Sequence, residues 1–116
     1  MTIPKRPKRI LFVCTANVDR SPTAEAILKG IKGFEVQSAG IWPNARRRIT
    51  KELIDWADII FAMEDYHKEV IVSLKPEAEN KTVVLNVPDI YPRNDPNLIK
   101  ILKERISEHL GIVWEE

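Results

Sequence analysis

The sequence predicts an α/β protein, a three-layer sandwich whose four-stranded parallel sheet carries helices on both faces. Two observations lead there. Four short apolar runs alternate along the chain with stretches of helical periodicity, the pattern of parallel strands joined by crossovers. The first apolar run ends at Cys14 and passes through a short loop into Ser21-Pro22, which opens a helix-forming run. Right-handed crossovers place such a loop at the carboxyl edge of the sheet, where open α/β sheets bind ligands.

Each element has its own signal. The first strand is expected over Ile10–Cys14, and the first helix over Pro22–Ile31, through Thr23-Ala24-Glu25-Ala26-Ile27-Leu28. Phe34–Ser38 reads as the second strand and Thr50–Ala57 as the second helix, with Trp56 at helical spacing from Leu53 and Ile49 and so expected in the core. Ile59–Met63 and Asp65–Leu74 form the third strand and helix. Thr82–Val87 reads as the fourth strand. The last helix is expected over Pro96–Leu110, with Asp95 placed to cap it and Leu98, Ile101, Leu102 and Ile106 along one face.

The chain of 116 residues, 44% hydrophobic and 30% charged, suits one compact core, so residues 1–116 are expected to form a single domain with a basic tail over 1–8. No apolar run approaches the roughly 20 residues of a membrane span. The basic start Lys5-Arg6-Pro7-Lys8-Arg9 leads into a run too short for a secretory signal, and a cytoplasmic protein is expected. A single thiol forms no internal disulfide and rules out a cysteine-cluster metal site within one chain, so no metal and no cofactor are expected. A net charge of +1 points to neither nucleic acid nor a membrane as partner.

Cys14 and Arg20, six residues apart, frame a phosphate cradle. Backbone N–H groups in a tight turn make an anion nest, and a helix N-terminus adds partial positive charge. A guanidinium grips two phosphate oxygens at once. The same field favours the thiolate form of a cysteine at the loop mouth. The bare spacing is weak, but the preceding strand, the loop Asn and the Ser-Pro helix start occur in the order that the chemistry requires. Asn17 is expected to shape the loop by taking a left-handed conformation and tying it to a neighbour such as Ser38. Ser21 reads equally as helix cap or as hydrogen-bond donor to Cys14. Arg46-Arg47-Arg48 reads as solvated surface, and neither His67 nor His109 looks catalytic.

The segment Cys14-Thr15-Ala16-Asn17-Val18-Asp19-Arg20-Ser21-Pro22-Thr23-Ala24-Glu25 resembles the phosphate loop of the low-molecular-weight protein tyrosine phosphatases, C-x5-R-[ST] followed by Pro-Thr-Ala-Glu. Ser38-Ala39-Gly40, Ala57-Asp58-Ile59-Ile60-Phe61-Ala62-Met63-Glu64 and Pro88-Asp89-Ile90-Tyr91 resemble further segments of that family, so most of the chain is covered, most closely by a short bacterial and archaeal subgroup. The resemblance implies a sheet in order 2-1-3-4 and a cysteine-dependent phosphomonoester hydrolase, a protein-tyrosine phosphatase, working through a cysteinyl-phosphate. It makes Cys14 the nucleophile, Arg20 and the loop Thr15, Ala16, Asn17, Val18 and Asp19 the phosphate binders, and Ser21 an aid to the departing thiolate. Asp89 matches the general acid and base. Trp42 and Tyr91 stand where an aromatic wall would hold a substrate ring. Expected ligands are a phosphorylated protein or small aryl phosphate, and phosphate, sulfate or vanadate in the loop. A monomer or weak homodimer is expected.

The chain departs from the family in four places. Asp19 occupies the position of a second cysteine that many members use for disulfide protection, and is expected to point outward or pair with a base. Ala16 replaces a glycine, which would strain a positive φ. Ile90 replaces a proline of the acid loop. The stretch between Gly40 and Ala57 is short. Two alternatives stay open: a catalytically weak phosphate-binding module, and an arsenate reductase that borrows an external thiol.

Overall fold

Strand β1 (Lys8–Cys14) lies at the centre of the sheet because its alternate residues are apolar on both sides. Ile10, Phe12 and Cys14 turn to one face, Leu11 and Val13 to the other, and all five are buried. β1 pairs in parallel with β2 (Phe34–Gly40) and with β3 (Ile59–Ala62). β3 in turn pairs with β4 (Thr82–Val84), giving the order β2-β1-β3-β4 that was expected. This computed structural model describes residues 6–114.

Two helical layers close the sheet. On the Phe12 face, α1 (Arg20–Lys29) and α4 (Pro96–Leu110) bring Leu28, Leu98, Leu102 and Ile106 against Ile10 and the stacked pair Phe12–Phe61, whose ring centroids are 5.5 Å apart. On the Leu11 face, α2 (Lys51–Trp56) and α3 (Asp65–Leu74) bring Ile54 and Ile71 against Val13 and Ile60. Trp56 packs at the margin of this second cluster, under the Arg9 guanidinium. Asp95 caps α4 by accepting from the Asn97 N–H at 2.8 Å, Pro96 takes the first helical position, and Gly111 ends the helix at φ 65°.

Most elements shift by one or two residues at their ends, and larger differences lie at the fourth strand, the link before it and the N-terminal tail. The fourth strand stops at Val84 rather than Val87, because Asn86 adopts a left-handed conformation (φ 56°); single bonds from Leu85 N–H to Ala62 and from Val87 N–H to Met63 carry the chain onward. A 3₁₀ turn over Pro76–Lys81, absent from the sequence reading, joins α3 to β4. Residues 1–5 of the expected tail lie outside the described residues. The rest of it is attached: Arg6 donates twice to Asp58, at 2.8 Å each, and Lys8 begins β1. No helix among the described residues is long and apolar enough to cross a membrane.

Candidate active site

The site forms at the carboxyl edge of β1, where residues 14–20 turn back into α1. The loop owes its shape to the segment that follows β2. Ile41 N–H donates to the Cys14 carbonyl (3.1 Å), Trp42 N–H to Thr15 (3.1 Å), Arg46 N–H to Ala16 (3.0 Å) and Arg46 Nε to Asn17 (3.0 Å). Each of these four loop carbonyls is thereby satisfied from the segment spanning 41–46. The N–H groups of residues 15–19 have no partner among the described residues, so the loop offers donors and withholds acceptors. Gly40 makes the approach of the two segments sterically feasible: a Cβ there would meet Ala45 and the Thr15 carbonyl at 2.7 Å.

Asn17 takes the loop's one left-handed conformation (φ 57°). The strain expected of Ala16 does not arise, since its φ is not positive. Buried Asn17 donates through Nδ2 to Ser21 Oγ (2.8 Å) and Ser38 Oγ (2.9 Å), and Ser38 Oγ donates to Glu25 Oε1. Ser21 is not the helix cap. It lies inside the first turn of α1, buried, with Oγ 2.9 Å from Cys14 Sγ, while Asp19 occupies the cap position without a side-chain bond to the helix. Asn17 spends both amide hydrogens on acceptors, so the Ser21 hydroxyl hydrogen is left to point at the sulfur or the Ala39 carbonyl (3.4 Å).

Arg20 is buried, and its guanidinium is anchored chiefly through NH1. NH1 donates to Glu64 (2.5 Å) and to the Val87 carbonyl (2.9 Å), NH2 to Thr15 Oγ1 (3.3 Å), and Nε lies 3.8 Å from Asp89 Oδ1. Burial works against its charge, but the hydrogen bond to Glu64 and the Asp89 carboxylate outweigh it and raise its pKa. The partner agrees. Burial pushes the Glu64 carboxyl upward, and its bond to Arg20 brings it below the ordinary glutamate value.

A cavity of about 330 Å³ opens over these groups. Cys14 and Arg20 form its floor with Thr15 and Ala16; Val18, Asp19, Trp42, Tyr66 and Asp89 form its walls. Trp42 is half exposed, as a stacking wall must be. Tyr91 does not line the cavity; its ring packs on the core cluster beneath. Asp19 borders the cavity, and its Oδ1 accepts from the Arg93 N–H (3.0 Å) rather than from a basic side chain. Asp95 is spent on capping α4. Arg46 is pinned to the loop, and Arg47 and Arg48 are exposed.

Glu64 and Tyr66 were not singled out from sequence, and His67 was set aside there as non-catalytic, yet all three belong to the site. Glu64, Tyr66 and His67 form the first turn of α3, which lies over the loop. Tyr66 OH is 2.7 Å from Thr15 Oγ1, replacing Tyr91 as the second aromatic wall. His67, fully buried, accepts at Nδ1 from the Glu64 N–H (3.0 Å), which fixes the proton on Nε2; Nε2–H donates to Thr15 Oγ1 at 2.9 Å. Burial, then the charge of Arg20, lowers its pKa to about 4, so the ring is neutral. The usable signal was position: Glu64 follows β3 at the same sheet edge as Cys14.

Residues 9–48 match the model of the low molecular weight phosphotyrosine protein phosphatase family. A protein-arginine-phosphatase of Geobacillus stearothermophilus is 39% identical over 103 residues, covering 68% of this chain and 70% of the relative. The low molecular weight protein-tyrosine-phosphatase Ptp of Acinetobacter johnsonii is 31% identical over 114 residues, covering 72% and 80%. Among solved structures, the tyrosine phosphatase Wzb of Escherichia coli in complex with phosphate superposes with a TM-score of 0.73 at 25% identity, covering 87% of this chain and 94% of that one.

Proposed function

Since this chain belongs to the low-molecular-weight protein-tyrosine-phosphatase family and is a cysteine-dependent phosphatase, we propose that it cleaves phosphoprotein side chains in two displacements at the cavity over Cys14. Cys14 Sγ attacks phosphorus in line, and Arg20 with the loop N–H groups holds the equatorial oxygens. Asp89 protonates the departing oxygen, which leaves a cysteinyl-phosphate. Asp89, now a base, takes a proton from the water that attacks this intermediate, and Ser21 Oγ–H, 2.9 Å from the sulfur, stabilises the departing thiolate. The observation that carries the reading is the convergence on one cavity of Cys14 and Arg20, from the two ends of one loop, with Asp89 from a distant segment.

The two aromatic walls, Trp42 and Tyr66, favour an aryl phosphate, and phosphotyrosine is the proposed substrate class. One observation favours phosphoarginine instead. The Asp89 carboxylate lines the cavity and suits a guanidinium, and the Geobacillus relative is named a protein-arginine-phosphatase. Hydrolysis of a chromogenic aryl phosphate across about pH 5 to 8, with reductant, tests the mechanism: Cys14→Ser should abolish turnover and Asp89→Asn should lower it ~100-fold or more. Wild-type inactivity, with vanadate still bound, would reject the enzyme and leave a phosphate-binding module. Release of phosphate from phosphotyrosine and phosphoarginine peptides of one sequence then decides the substrate.

A further inference from the structure

Before Asp89 the loop is held at Val87, bonded to Met63 and Arg20. Beyond it, among the described residues, only the packing of Tyr91 fixes the chain until residue 93, so the far side needs a restraint of its own. Residues 85–95 contain no helix or strand, the Asp89 side chain is 58% exposed, Ile90 is 71% exposed, and among the described residues the one ionic contact of Asp89 is Arg20 at 3.8 Å. Ile90 stands where the family has a proline, so the backbone lacks that restraint as well. A general acid needs its carboxyl held within hydrogen-bond reach of the leaving oxygen.

The restraint comes from the start of α1. Asp19 Oδ1 accepts from the Arg93 N–H at 3.0 Å, and Thr23 Oγ1 accepts from the Asn94 N–H at 3.0 Å. Thr23 in turn donates to the Asp19 carbonyl at 2.7 Å, so both anchors belong to one bonded unit. Asn94 takes a left-handed conformation (φ 63°) that presents these consecutive N–H groups to α1, and Asp95 N–H closes the turn on the Pro92 carbonyl at 3.1 Å. Asp19 directly precedes Arg20, so the bond ties the acid-bearing loop to the phosphate-gripping residue. A cysteine at this position would lack the carboxylate acceptor.

We propose that Asp19 is a positioning residue, whose carboxylate fastens the 88–95 loop to the phosphate loop and so places Asp89 over Cys14. The proposal rests on the reading of Asp89 as general acid. Two aryl phosphates separate the two: phenyl phosphate, whose leaving group needs a proton, and dinitrophenyl phosphate, whose leaving group does not. Asp19→Ala should cost kcat/KM on phenyl phosphate at least ~10-fold more than on dinitrophenyl phosphate, with vanadate inhibition reporting separately on the phosphate loop. Asp19→Asn, which keeps an oxygen to accept from Arg93, should restore most of the loss. Amide exchange at Arg93 should quicken ~10-fold or more in Asp19→Ala and not in Asp19→Asn.

An equal loss on both substrates would overturn the proposal, and weakened vanadate inhibition alongside it would place the effect of Asp19 on the phosphate loop. So would Asp19→Asn behaving like Asp19→Ala, or unchanged exchange at Arg93. The parallel variant Asp89→Asn isolates the underlying reading: if it shows no selective loss on phenyl phosphate, the general-acid role itself fails and the positioning role falls with it.

Discussion

His67 shows how a buried residue several steps from the chemistry can control the shape of a phosphate loop. Its ring joins the Glu64 N–H to Thr15 Oγ1, and it does so only when neutral, because a protonated Nδ1 would face a donor. With a folded pKa of about 4 against about 6.5 unfolded, the unfolded chain binds the extra proton first as pH falls. Stability is therefore complete above pH 6.5 and declines toward pH 4, by up to about 3 kcal/mol. Thermal or urea unfolding at stepped pH should show that decline in wild type and lose most of it in His67→Gln, which removes the titrating group. An equal slope in both proteins would mean that carboxylates, not His67, set the acid sensitivity.

At the scale of elements, the site depends on a segment that carries none of the proposed catalytic groups. The turn after β2 takes up the carbonyls of residues 14–17, and Gly40 permits the contact. Gly40→Ala would drive a methyl group into backbone atoms at 2.7–2.8 Å, which neither segment can yield without breaking the bonds between them. Vanadate binding should weaken ~10-fold or more, with about 1–3 kcal/mol lost from stability. Isothermal titration and urea denaturation of the same variant would check the two effects; intact vanadate binding would show that the loop holds its shape unaided. Elements of this kind were partly legible beforehand. Asp95 and Pro96 announced the start of α4 through local effects, Asp95 by capping two residues on, whereas Thr50, expected inside α2, proves to be its cap. The turn at Asn86 was not legible, since an Asn inside an apolar run gives no sign of which conformation the neighbouring strand will impose.

For the whole molecule, the two faces of one sheet do different work with the same chemistry of burial. The Phe12 face seats α1 and α4, the helices whose first turns meet the acid loop and phosphate loop; the Leu11 face seats α2 and α3. Ile106 lies ten residues along α4 from Pro96, roughly 15 Å from that helix's start and so well away from the cavity. Ile106→Ala should cost about 2–5 kcal/mol of stability while kcat/KM at 25 °C stays within ~2-fold. A denaturation curve and an aryl phosphate assay on one preparation test this. A matched fall in kcat/KM, with the protein still folded, would mean that the packing of α4 reaches the acid loop.

The sequence by itself determined the parallel sheet, the order of its elements and the loop between Cys14 and Arg20, because these follow from periodicity and from residues that act on their near neighbours. Only the tertiary structure decided what surrounds that loop. Glu64 meets Arg20 across 44 residues, His67 meets Thr15 across 52, and Asp19 meets Arg93 across 74. The choice of Tyr66 over Tyr91 as cavity wall was settled in the same way, by the packing of α3 over the loop and of Tyr91 into the core. Such contacts are made by the packing of whole elements, so the side chains involved carry no local pattern that marks them as partners.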